Sequence, residues 1–131
     1  MRHVGLSEVS VDEIKAAGRV LPIVSVQNRY NLVDRGSEKA LDHCAEHKIG
    51  FIPWFPIASG DLAKPGGPLD QVAKEVGAAA AQVALAWLLK RSPVMLPIPG
   101  TSTVKHLEEN CAAAEIHLSD EQFAKLSKLP Y

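Results

Sequence analysis

The stretch Leu96-Pro97-Ile98-Pro99-Gly100-Thr101-Ser102-Thr103-Val104-Lys105-His106-Leu107-Glu108-Glu109-Asn110 decides how the chain is read. A short apolar run (Val94, Met95, Leu96, Ile98) stops at Pro99-Gly100, and three hydroxyl residues then lead into a helix. Thr101, Ser102 and Thr103 each suit an N-cap, while Val104, Leu107, Cys111 and Ala114 recur at helical spacing. A strand that ends at glycine and feeds a helix N-terminus leaves backbone N–H groups and a positive dipole end facing outward. Such a turn suits an anion, phosphate above all. An ordinary, well-capped βα turn has the same residues, so this stretch sets the strand–helix period before it sets a function.

Outward from that turn the period repeats. His3–Leu6 is a short apolar start. Ser10 with Glu13 forms a capping box and opens a helix to about Arg19. Pro22–Val26 is a β-branched run with the character of a buried parallel strand, ending in Gln27-Asn28. A second helix is expected over Ser37–Lys48, stopped by Gly50, with Phe51–Phe55 as the third strand. The loop Pro56–Gly67 is rich in glycine and proline and long enough to be a working surface loop. Helices Pro68–Val76 and Ala80–Arg91 follow, the latter with Ala80, Val83, Ala84, Trp87 and Leu88 as an apolar stripe. Val94–Ile98 is the fourth strand, and a last helix is capped by Ser119 with Phe123 and Leu126 inward. Strand and helix alternate four times, which predicts one α/β domain on a parallel sheet.

Composition sets the class. The chain has 131 residues, 47% hydrophobic and 22% charged, as a soluble globular domain has. A net charge of -1 gives no electrostatic reason to expect nucleic acid or an anionic membrane as partner. No apolar run reaches membrane-spanning length and the N-terminus lacks a signal-peptide core, so a cytoplasmic protein is expected. Cys44 and Cys111 stand apart, both on apolar helix faces, and read as reduced core thiols.

In a parallel α/β fold, ligands gather at the carboxyl ends of the strands. Those ends are Ser7-Glu8, Gln27-Asn28, Trp54-Phe55 and Gly100-Thr101-Ser102. A hydroxyl and amides can bond a carboxamide, an indole can stack on a flat heterocycle, and the last turn can hold phosphate. Trp54 taken alone fits core packing equally well; the four ends together favour a dinucleotide.

With these residues in view, the chain resembles the C-terminal half of an aldo-keto reductase. The resemblance is carried by His3-Val4-Gly5-Leu6-Ser7, Val26-Gln27-Asn28-Arg29-Tyr30-Asn31, Pro53–Gly60, Gln82–Leu89, and Ile98–Ser102 with Glu109-Asn110, in family order across nearly the whole chain. It implies strands five to eight of a (β/α)8 TIM barrel, one partial domain over residues 1–131, and hydride transfer between NADP(H) and a small carbonyl compound. It further implies that Ser7 and Gln27 hold the nicotinamide carboxamide and that Trp54 stacks on the ring, where the family usually has Tyr. Phe55, Pro56, Ile57 and Ser59 would line the pyrophosphate, Thr101 and Ser102 the 2′-phosphate, and Glu109 and Asn110 the adenine. Two departures stand out. Glu8 replaces a common Asn, and Gly100 and His106 occupy positions where many members place Lys and Arg on the 2′-phosphate. NADP(H) is therefore expected first and NAD(H) second.

The family's catalytic Asp, Tyr, Lys and His lie on the first four strands and have no counterparts in this sequence. Tyr30 and Tyr131 do not match the proton donor. The chain is thus expected to be inactive alone as a reductase, since the developing alkoxide must be protonated in place. An open half-barrel exposes strand edges, which invites completion by a homodimer or by a separate N-terminal half. A truncated product, or a non-catalytic nucleotide-binding module, is the alternative reading. His43-Cys44-Ala45-Glu46-His47 fits an H-x-x-E-H zinc-peptidase pattern, but helical spacing places these side chains opposite the apolar face with no ligand downstream. They read as a solvated outer face, and no metal is expected. No G-x-S-x-G serine motif occurs.

Overall fold

Among the described residues three parallel strands form the sheet, and each is followed by a helix. The structure, a computed structural model, describes residues 1–57 and 65–130. The order is β1 (Val4–Ser7), α1 (Val11–Gly18), β2 (Ile23–Arg29), α2 (Glu38–His47), β3 (Gly50–Trp54), α3 (Pro68–Val76) and α4 (Ala80–Arg91). Then come α5 (Val104–Ala112), a 3₁₀ turn over Ala113–Glu115, and α6 (Asp120–Ser127). Strand order in the sheet is β1-β2-β3, all parallel.

Local chemistry explains most of the boundaries. Ser10 caps α1 with the reciprocal Ser10–Glu13 box, and its backbone N–H donates to the Glu13 carboxylate at 2.7 Å. Pro68 begins α3 and Gly77, at φ 67°, ends it in the left-handed conformation. For α2 the stop differs from expectation. Lys48, not Gly50, takes the left-handed C-cap at φ 56°, and Gly50 already belongs to β3.

The register sorts the sheet into two faces. Ser7 pairs with Gln27, Gln27 with Ile52, and Arg29 with Trp54. Side chains alternate along strands, so Ser7, Gln27, Ile52 and Trp54 share one face, and Val26, Asn28, Phe51 and Pro53 share the other. The second set is wholly buried against the helices. β1 and β2 approach so closely that a Cβ on Gly5 would lie 2.3 Å from Ser25 Oγ, which is why glycine stands there.

Beneath the sheet an aromatic group fills the core. Tyr30 meets Phe51 edge-on at 5.9 Å and stacks with Trp87 at 6.2 Å, and Trp87 stacks with Phe123 at 5.8 Å. The Trp87 indole N–H donates to Ser127 Oγ at 2.9 Å, and the Arg35 guanidinium lies 4.7 Å over its ring. Residues Val83–Leu88 of α4 are all buried.

Two expectations are corrected. Val94–Ile98 is not a strand: a single bridge joins Phe51 to Met95, with bonds from Phe51 N to Val94 O and from Leu96 N to Phe51 O, both 2.8 Å. The next rung would need an N–H from Pro53 of β3 to Leu96 O, and proline has none, so the segment runs alongside β3 without pairing further. Cys44 is buried, its thiol pushed up to about 11 by desolvation, but Cys111 is exposed. The apolar stripe of α5 packs on little, and the helix has no buried residue. No single helix among the described residues is long and apolar enough to cross a membrane.

Candidate functional site

The carboxyl ends of the three strands build one face of the candidate site. Ser7 at the end of β1 is exposed and Gln27 beside it is half-buried; neither side chain makes a hydrogen bond among the described residues. Both therefore keep donors and acceptors for a ligand. Asn28 does not. It points to the core face, donates to Val9 O at 2.8 Å and to Ser37 Oγ at 3.3 Å, and accepts from Val9 N at 3.1 Å. Of the Gln27-Asn28 pair, one amide is left for ligand and the other ties the loop after β1 to β2.

Trp54 ends β3, half-buried, and its indole N–H donates to the carboxylate of Glu8. Glu8 has φ 54° and also accepts from the Arg29 backbone N–H at 2.7 Å. A left-handed conformation for a non-glycine residue costs about 1–2 kcal/mol, and here two hydrogen bonds hold it. Phe55, directly after Trp54, has φ 56° and is 39% exposed. The Arg29 guanidinium sits 5.5 Å from the Trp54 ring and 5.2 Å from that of Phe55, and pairs with Asp34 at 2.8 Å. Sequence reasoning noted Glu8 only as an added charge. Its bonds to the Arg29 backbone and to the Trp54 indole join residues 21 and 46 positions apart, which no local pattern reveals.

Pro56 is buried and Ile57 packs partly against the core, so these two anchor the loop after β3 as well as bordering the site. Ser59 lies outside the described residues.

The second part of the candidate site is the N-terminus of α5. Thr103 is its N-cap, accepting from His106 N at 3.2 Å, and Thr101 Oγ1 accepts from Thr103 N at 3.3 Å. Gly100, Thr101, Ser102 and the His106 side chain are exposed around this turn. Helix geometry leaves further first-turn N–H groups facing outward there. Glu109 and Asn110 are half-buried on the same helix; Glu109 O accepts from Gln82 Nε2 at 2.9 Å, which ties α5 to the start of α4. Asn110 borders an apolar groove of about 330 Å³ between Leu85 and Leu89 of α4, Pro97, Pro99 and Leu107. A further cavity, about 450 Å³ between the starts of α1 and α2, is bordered by Asn28 but by none of the residues the family resemblance assigns to the nucleotide.

Tyr30 is fully buried, and its hydroxyl donates to Glu38 at 3.1 Å. Desolvation, with Glu38 beside it, pushes its ionisation upward from the ordinary tyrosine value. It is a structural hydroxyl of the core, as the sequence reading had placed it outside the proton-donor role.

This layout has close relatives. An uncharacterized oxidoreductase of Schizosaccharomyces pombe is 61% identical over 128 residues, covering 98% of this chain and 42% of its own length. Pyridoxine 4-dehydrogenase of Escherichia coli is 44% identical, with coverage of 96% and 44%. Among solved structures, an aldo/keto reductase from Klebsiella pneumoniae in complex with NADP and acetate superposes with a TM-score of 0.88 at 28% identity, over 97% of this chain and 47% of that one. The chain thus spans less than half the length of these relatives. The model of the aldo/keto reductase family matches residues 1–130, and the parallel βα units agree with a portion of that family's barrel. The chain belongs to the aldo/keto reductase family.

Proposed function

We propose that these 131 residues form the nucleotide-binding half of an aldo-keto reductase barrel, with β1 to β3 as its strands five to seven and the extended Val94–Ile98 segment in the place of the eighth, serving NADP(H)-dependent reduction of a carbonyl compound. The observation that supports this most is the unblocked pair Ser7 and Gln27 beside an indole fixed by Glu8, all at the carboxyl ends of parallel strands. Ser7 and Gln27 would bond the nicotinamide carboxamide and Trp54 would stack on the ring. Phe55, Pro56, Ile57 and Ser59 would border the pyrophosphate. Gly100, Thr101, Ser102 and His106 would meet the 2′-phosphate at the α5 N-terminus. Glu109 and Asn110 would meet the adenine, with the groove beside Asn110 apolar enough for a flat base.

The nucleotide supplies the hydride. The residues described here orient it, but Tyr30 is buried and the Glu8 carboxylate accepts from Trp54 and from Arg29 N, so neither serves the alkoxide as its acid. We therefore place the acid/base group in a complementary half, either the remainder of a longer polypeptide or a separate chain; a second copy would cover the open sheet edge but, carrying the same residues, would not supply that group. Leu96 and Ile98, 56% and 49% exposed, are apolar surface that such a half would cover. The name of the E. coli relative makes aromatic aldehyde–alcohol pairs the first substrates to assay.

The test is a titration of the purified chain with NADPH, read as quenching of tryptophan fluorescence. Trp87 is buried in the core and supplies a constant background. Saturable quenching that vanishes in Trp54→Ala is the expected result. A chain folded by circular dichroism but unquenched by NADPH would overturn the assignments of Ser7, Gln27, Trp54 and Asn110.

A further inference from the structure

The inner face of α2 buries Ala40, Leu41 and Cys44, while its outer face carries His43, half-buried, with Glu46 and His47 exposed. We propose that His43, Glu46 and His47 form a surface site for a borderline divalent cation such as Zn²⁺ or Ni²⁺. Helical spacing had set these side chains aside for want of a ligand downstream. The third ligand is instead within the same turn.

Positions 43 and 47 are one turn apart, so their imidazoles lie on the same strip of helix. The ring centroids are 4.1 Å apart, tilted by 31°. One ligand atom from each of the three residues lies within 4.8 Å of the other two. Imidazole nitrogens coordinate zinc at about 2.0–2.1 Å, so two ligands of one ion stand roughly 3–4 Å apart, within a small rotation of exposed side chains.

The second observation concerns orientation. His47 Nδ1 lies 2.9 Å from the carbonyl oxygen of His43. With its proton on Nδ1 the ring donates that bond, and Nε2 presents a lone pair outward. Metal-bound histidines characteristically fix their tautomer in this way, by donating the other ring N–H to a backbone carbonyl. Here the arrangement exists before any ion arrives.

Two imidazoles and one carboxylate favour zinc, nickel or copper over magnesium and calcium, which prefer all-oxygen shells. Water completes the coordination. At His43 partial burial, His47 and then Lys15 of α1 all disfavour positive charge, and of these Lys15 is the one outside the site that opposes a cation. The cluster sits in the last turn of α2, which leads into the amino end of β3, away from the strand ends of the nucleotide site. Cation binding therefore stands independently of NADP(H) binding. Because the unfolded chain does not hold the three side chains together, the ion stabilises the fold in proportion to its binding.

The experiment is calorimetric titration of the purified chain with ZnCl₂ and, separately, NiCl₂, with thermal melts at saturation. Exposed Cys111 is a competing soft ligand, so the Cys111→Ser variant is titrated in parallel. The expected result is one ion per chain and a raised Tm, unaffected by Cys111→Ser and absent with MgCl₂. Affinity falls about tenfold or more in His43→Gln and in His47→Ala, falls less in Glu46→Gln, and rises in Lys15→Gln. Binding that persists unchanged in the His43→Gln/His47→Ala double variant, or that disappears with Cys111→Ser, would overturn the site.

Discussion

At the strand ends, Glu8, Arg29 and Trp54 hold one another across the ends of β1, β2 and β3, with Asn28 and Phe51 buried on the opposite face of the sheet. At the other end of the candidate site, α5 buries none of its nine residues; Gln82 ties it to α4, and its own cap closes its first turn. Val104 and Leu107, the heads of its apolar stripe, are 72% and 51% exposed. The two regions are offered to one ligand but are stabilised differently. The ring end is preorganised by the core, and the phosphate and adenine end rests on local hydrogen bonds.

The largest effect expected from this contrast is on folding. Phe51→Ala removes a buried ring that contacts Tyr30 edge-on and costs about 3–5 kcal/mol, measured by urea denaturation. If it costs no more than a surface change, the core behind the strand ends is not what holds them. Next is Glu8→Ala, which frees the indole. It weakens NADPH-dependent quenching about tenfold, on the scale of one hydrogen bond to a charged group, and lowers Tm, because both bonds that hold the left-handed residue 8 go with the carboxylate. Glu8→Gln, which keeps an acceptor, recovers part of that loss. Equal affinity in all three proteins would show that the Glu8–Trp54 bond does not position the ring.

Smaller effects belong to the helix end. Thr103→Ala removes the cap of α5 and costs about 1 kcal/mol of local stability, seen as faster amide exchange in that helix without a matching change in β2. Leu107→Ala costs under about 0.5 kcal/mol, because the side chain is already in water. A large loss from Leu107→Ala would mean that the stripe of α5 is covered in solution, and the contrast between the two regions would then fail.

Much of this was legible in the sequence, for reasons that are local. Pro68, Gly77 and the periodic apolar positions of Ala80–Arg91 fix helix ends by chemistry acting over three or four residues, as do the Ser10–Glu13 and Ser119–Gln122 caps. Val94–Ile98 departs from the expected strand because an apolar run resembles a strand until its neighbour's hydrogen bonds are counted, and Pro53 of β3 has no N–H to give it. Cys111 was misread for a related reason: spacing shows that a stripe exists, not that anything packs on it. The Glu8–Trp54 bond and the burial of Asn28 depend on strand register, which a single sequence leaves open. Ser59 lies outside the described residues.

The most direct test of the central claim is amide hydrogen exchange across the chain, with and without saturating NADPH. The account predicts slow exchange over Val26–Trp54 in the free protein, fast exchange over Thr101–Asn110, and marked slowing of Thr101–Asn110 when NADPH binds. Exchange in α5 as slow as in β2 without ligand, or unaltered by NADPH, would contradict it.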